Sequence, residues 1–287
     1  MSALVSSYDH GEGIADAAVA KSRRVGRSPW LGWLGRAGLV AKGVSYALVG
    51  VLAIALASGL GGRATGREGA LEVLAGEAYG KALIAALAFG FGAYALWRLA
   101  QAIFDREGEG TDGVGIAKRL GYVARALLYG ALAATALTLL DGTGSDTSET
   151  AEARETTAEV LTWPGGRWLV AAAGLGFLVA AVFNGYRAST QKFEEKWFVD
   201  DLGHRTQRVL AALGSIGLLA RFVVFGLIGL FLVKAAYEYD PREAIGLDGA
   251  LRKLVDGAYG GALLGTLAAG VLCYALFCFA EARYRRV

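Results

Sequence analysis

Apolar and polar positions along the chain fall into long blocks, not into the short alternation of strands. Residues 37–60, 82–104, 121–140, 168–187, 209–236 and 261–280 are mainly apolar, and the gaps between them are polar. Each block has about 20 residues or more, the length a helix needs to cross a hydrocarbon core about 30 Å thick. Lipid offers no partner to backbone N–H and C=O groups, so such blocks must be helical. The pattern predicts an all-α polytopic membrane protein with six transmembrane helices.

Composition agrees. Of 287 residues, 55% are hydrophobic and 19% charged, more apolar than a soluble domain of this length. The bases are distributed unequally. Most lie in the N-terminal tail, the second and fourth gaps and the C-terminus, whereas many acids lie in the other gaps. The positive-inside rule then places both termini in the cytoplasm, with the protein multipass in the cytoplasmic (inner) membrane. Residues 1–20 lack a leading basic cluster and a long apolar core, so residues 1–30 are expected to be a mobile cytoplasmic tail, not a cleaved signal. The net charge of +3 implies no nucleic-acid partner.

The blocks repeat. GALEVLAGEAYGKALIAALAFGFGAYAL (69–96) and GALRKLVDGAYGGALLGTLAAGVLCYAL (249–276) share fifteen of 28 positions without a gap, Tyr79/Tyr259 and Tyr94/Tyr274 among them. A more divergent middle copy is WPGGRWLVAAAGLGFLVAAVFNGYR (163–187). The odd helices share a second pattern: GLVAKGVSYALVG (38–50), GYVARALLYGALA (121–133) and GLLARFVVFGLIG (217–229). The units are therefore 34–105, 117–193 and 213–284, each a two-helix hairpin, joined by a cytoplasmic linker at 194–212 whose mix of aromatic and charged residues suits an interfacial helix. All three run the same way through the membrane, as parallel repeats around a pseudo-threefold axis. Rows of small residues, such as Ala82-Ala86-Gly90, Ala172-Gly176 and Ala262-Thr266-Gly270, are expected to line the close helix contacts.

The base-plus-aromatic odd helix, the GAL…L…(Y/P)G entry to the even helix and the ending YALWRLAQA (94–102) resemble the microbial multipass family called domain of unknown function 1206. The resemblance covers about residues 34–287. It implies three tandem two-helix membrane repeats and carries no activity with it. The acidic segment SDTSETAEARETTAEV (145–160) of the middle copy departs most from the pattern.

Candidate chemistry centres on Lys42, Arg125 and Arg221, one base per odd helix. Each lies 16 residues before the far end of its helix, a rise of about 24 Å, so each falls just inside the cytoplasmic edge of the core. From there the side chains can snorkel to headgroups. Tyr46, Tyr129 and Phe225 lie at i+4 and are expected to cover the stems of these bases. The bases are thus either anchors against anionic lipid headgroups or a ring around the axis that binds an anion.

Other chemistry is not indicated. His10 and His204 lie outside the spans, and Cys273 and Cys278 read as core filling. Neither haem nor zinc ligation is suggested, no catalytic or dinucleotide motif stands in context, and no cofactor is implied. The first functional reading is a non-enzymatic scaffold or accessory subunit, packing anionic lipid or a larger membrane-protein complex. The alternative is a small-solute or anion channel or carrier using the three bases.

Overall fold

The computed structural model describes residues 29–59, 66–105, 110, 112–142, 148–191, 203–255 and 260–284. Nearly all of the predicted tail and the first half of the predicted linker lie outside them. Residues 204–212 of that linker form the first turns of a long helix.

Among the described residues every regular element is helical. Six helices are long and apolar enough to cross a membrane: α1 (Pro29–Ala57), α3 (Gly80–Phe104), α4 (Gly113–Leu140), α6 (Gly166–Thr190), α7 (His204–Glu238) and α9 (Gly260–Tyr284). They coincide with the six apolar blocks, and α1, α4, α7 and α9 run on by a turn or more at one polar end. Among the described residues three shorter α-helices, α2 (Arg67–Ala75), α5 (Glu149–Leu161) and α8 (Leu247–Val255), fill the alternate gaps, with a single 3-10 turn at Pro241–Glu243 before α8. The protein is an all-α multipass membrane protein.

Local chemistry sets the boundaries. Asp112 caps α4 by accepting from the Gly115 N–H at 3.1 Å, and Ser148 caps α5 by accepting from the Ala151 N–H at 3.1 Å. The chain enters α6 through Gly165, whose φ of 79° favours glycine.

Packing follows one continuous order of neighbours: α4 on α3, α3 on α1, α1 on α9, α9 on α7 and α7 on α6. The first and last repeats pack internally by the same contacts. A Cβ on Gly38 would lie 2.3 Å from Tyr94 Cβ, and one on Gly217 would lie 2.6 Å from Tyr274 Cα. Likewise a Cβ on Gly90 would lie 2.4 Å from Ala41 Cβ, and one on Gly270 2.7 Å from Ala220 Cβ. In both repeats the bare glycine face of one helix receives the partner's bulk.

The middle repeat does not do this. α4 and α6 make at most marginal contact with each other. The residue of α6 that matches Tyr94 and Tyr274 is Ala180, which is too small to fill the surface of Gly121. A Cβ on Gly121 would meet only Arg125 of its own helix. Instead α6 docks on α7, where a Cβ on Gly174 would lie 2.8 Å from Val233 Cγ2.

The small-residue rows need correction accordingly. Ala82, Ala86, Ala172, Gly176, Ala262 and Thr266 are exposed. Only Gly90 and Gly270 of those rows sit in close contacts. The buried face of α3 carries large residues, Ile84, Leu87, Phe91, Tyr94 and Trp97, because each needs the space that the facing helix's small residues leave.

Candidate functional site

The three short helices meet at one end of the bundle. α2 packs against α1, α3 and α4, and α8 packs against α7, α9 and α5. Leu71 of α2 and Leu251 of α8 are fully buried, which fixes both helices to the bundle. Their first turns are then stitched to the first turn of α5. The Glu149 carboxylate accepts from the Glu68 N–H at 3.3 Å and from the Leu247 N–H at 3.2 Å. Thr150 Oγ1 accepts from the Gly246 and Gly249 N–H groups, each at 3.1 Å, and donates to Asp248 at 2.6 Å. Glu149 thus satisfies free N–H groups at the starts of two other helices, where a negative charge is favoured.

Burial raises the pKa of Glu149, with the nearby Asp248 adding to the rise. Burial pushes Glu68 up to about 8, with Glu149 and Glu152 contributing. Arg67, the first residue of α2, acts on both carboxylates. Its guanidinium turns inward, 5.5 Å from the ring centroids of both Tyr46 and Tyr129.

Below Arg67 lies the centre. Lys42 is buried, and its Nζ donates to the Tyr274 hydroxyl at 2.6 Å. The half-buried Arg221 donates to the same hydroxyl. Lys42 Nζ lies 4.9 Å from the Tyr274 ring centroid and 5.8 Å from that of Tyr94. Arg221 lies 4.6 Å from the Phe225 centroid, 4.7 Å from Tyr274 and 5.8 Å from Tyr46. Farther along, Arg98 donates to the Tyr94 hydroxyl at 2.6 Å and to Gln101 at 2.8 Å. Among the described residues no carboxylate lies within ion-pair distance of Lys42, Arg67, Arg98 or Arg221. A file of cations is therefore held by tyrosine faces and hydroxyls.

Two sequence expectations change here. Lys42 does not snorkel: Tyr274 draws it inward, because its phenol oxygen is a buried acceptor within reach of the ammonium. The i+4 rule holds only for Arg221 over Phe225. Tyr46 serves Arg221 and Arg67, and Tyr129 serves Arg67, because each ring faces neighbours on other elements. Arg125 does not join the centre. It is exposed and donates to the Gly121 carbonyl of its own helix at 3.2 Å, within electrostatic range of Tyr94, Arg98 and Arg221. The splayed α4 and α6 leave it without a facing helix.

Sequence reasoning missed Arg67 and Arg98. The match between Tyr94 and Tyr274 was visible, but nothing in it named the bases those rings would hold.

A recess of about 460 Å³ opens beside the short helices, lined by Glu149, Glu152, Thr156 and Thr157 of α5, by Leu169 and Val170 of α6, and by Leu232 of α7 among others. Its polar end is Glu149 and its apolar wall is the membrane-spanning pair α6–α7.

These features define a class: a six-span helical membrane protein, built from repeated hairpins, with buried bases held on tyrosines. The chain belongs to the family described as Domain of Unknown Function (DUF1206), whose profile matches residues 37–105, 120–191 and 216–285. It is also 33% identical over 260 residues, 90% of this chain and 93% of the relative, to the Uncharacterized protein YxxB of Bacillus subtilis (strain 168). No solved structure matches it.

Proposed function

We propose that this protein is a channel or carrier for small anions, with its binding centre at Lys42 and Arg221 on Tyr274. The observation that carries this reading is the burial of Lys42 beside Arg221 with no carboxylate partner among the described residues. Taking a cation out of water costs on the order of several kcal/mol. A cation–π face returns about 0.5–2 kcal/mol, and a shared phenol hydroxyl returns about 1.5–3 kcal/mol. A diffusible anion supplies the remaining compensation and gives the charges a use.

The rings of Tyr46, Tyr94, Tyr129 and Tyr274 fill the space among the bases, so this arrangement is closed and anion passage requires the rings to part. The units 34–105, 117–193 and 213–284 would surround a pseudo-threefold axis with the termini in the cytoplasm. The order of neighbours and the meeting of the three short helices support that plan. Arg125 would then attract anions at the splayed side of the middle repeat.

Nitrate uptake into liposomes holding the full chain tests this. Lys42→Gln with Arg221→Gln is expected to lower uptake at least about tenfold, the loss of about 1.4 kcal/mol of anion stabilisation. Arg125→Gln alone is expected to lower it less. Equal uptake by wild type and the double variant would end the reading.

One observation favours a second reading, as a scaffold or accessory subunit. In α4 and α6 only 28% and 22% of the most apolar stretch is buried within the chain, against 50% in α1, α3 and α9. Those two flanks are free to meet lipid or another membrane protein. Purification in mild detergent as a lone monomer, with neither attached, would count against it.

A further inference from the structure

Glu149 stands between the recess and the file of buried cations. On one side it lines the 460 Å³ recess. On the other it acts on Arg67, whose guanidinium faces Tyr46 and Tyr129. Tyr46 in turn packs edge-on against Tyr274 at 4.9 Å between centroids, the ring that holds Lys42 and Arg221. The route from recess to centre therefore passes Glu149 first.

The space Glu149 occupies is cleared by glycines. A Cβ on Gly66 would lie 2.0 Å from the Glu149 carboxylate, and a Cβ on Gly246 would lie 2.7 Å from Glu149 Cβ. The carboxylate is seated by the backbone N–H groups of Glu68 and Leu247. Buried Arg67 Nη1 has no hydrogen-bond partner among the described residues, so Glu149 leaves part of this cationic end unsatisfied there.

We propose that Glu149 is a tethered plug: its carboxylate occupies the mouth of the anion path, and an entering small anion, of the carboxylate or oxyanion class, reaches Arg67 only when Glu149 swings aside. Glu68, Glu152, Asp248 and Arg67 face it, and three of these four are acidic. Burial and Asp248 oppose its charged form, whereas Arg67 and the two N–H groups hold it in place. The plug rests on the reading of the centre as an anion site, but its displacement can be measured without transport.

A cysteine placed at position 70 supplies the reporter. Ala70 is buried on α2, one turn after Arg67, so it is reached before the tyrosine rings. In Ala70→Cys combined with Cys273→Ala and Cys278→Ala it is the chain's one thiol. Labelling by the anionic thiol reagent 2-sulfonatoethyl methanethiosulfonate, applied to the full chain in sealed liposomes of known orientation, reads access from the short-helix side. Glu149→Gln removes the charge. Gly66→Ala keeps the charge and displaces the carboxylate sterically. Both are expected to speed labelling about tenfold, a shift of about 1.4 kcal/mol toward the open path. Glu155→Gln, exposed on the same helix, is expected to label at the wild-type rate, with all variants retaining the wild-type melting transition. Equal rates in all four proteins would overturn the plug, as would equal acceleration by Glu155→Gln. Faster labelling with no nitrate uptake by any protein would keep the plug and remove the anion-transport reading instead.

Discussion

Lys42 would be an ordinary interfacial anchor if Tyr274 were absent. Its ammonium is instead shared, through one hydroxyl, with Arg221. Removing an uncompensated buried charge is often neutral or stabilising, so Lys42→Met should not unfold the protein. The expected difference is in linkage. Wild-type melting temperature should rise with nitrate concentration, as binding to the folded state demands, and that of Lys42→Met should not. Parallel curves would show that nitrate acts elsewhere.

At the short-helix end the sign of a pH effect follows from Glu68. Its pKa is about 8 in the folded protein, raised by burial first and by Glu149 next. A carboxyl raised above its unfolded value contributes stability that is full below the unfolded pKa, near 4.5, and is lost as pH rises through about 8. Melting temperature should therefore fall between about pH 5 and pH 9, and Glu68→Gln should flatten that fall. An unchanged slope would place the pH dependence on another group. Lys42 as an unusual residue was legible in the sequence, since a base in an apolar block is costly wherever it lies. Its inward direction was not, because Tyr274 stands 232 positions away and local spacing says nothing about such a partner.

Among elements, the six long helices were legible because length and apolarity alone select them in lipid. The helix faces were not. The Ala82-Ala86-Gly90 row is regular in sequence, yet the contact runs through Gly90 and the large residues beside it. Small residues permit close approach on any face, so their spacing could not choose one. The glycines of the odd helices carry a sharper test. Gly38→Ala places a methyl 2.3 Å from Tyr94 Cβ, with the Tyr94 backbone at 2.7 Å, and should cost about 1–3 kcal/mol. Gly121→Ala meets only its own helix's Arg125 side chain, at 3.6 Å, and should be neutral or stabilising by up to about 1 kcal/mol through helix propensity. Thermal or denaturant unfolding of the two variants separates these outcomes, and equal losses would mean that α4 packs as α1 does.

For the whole molecule, triplication predicts three alike hairpins, and two of them are alike down to the paired glycine contacts. The third differs because Ala180 stands where Tyr94 and Tyr274 stand in the others, and because its acidic segment supplies Glu149 to its neighbours. The asymmetry leaves α4 and α6 apart, Arg125 uncovered and a recess beside Glu149. Bromide is a small anion that anomalous X-ray scattering locates directly. Crystals of the full chain grown in bromide should show a peak in contact with Lys42 Nζ and the Arg221 guanidinium, with Tyr274 moved off at least one of them. A structure at the same bromide concentration with both bases still on Tyr274, and no anomalous density among Lys42, Arg67 and Arg221, would contradict an anion centre.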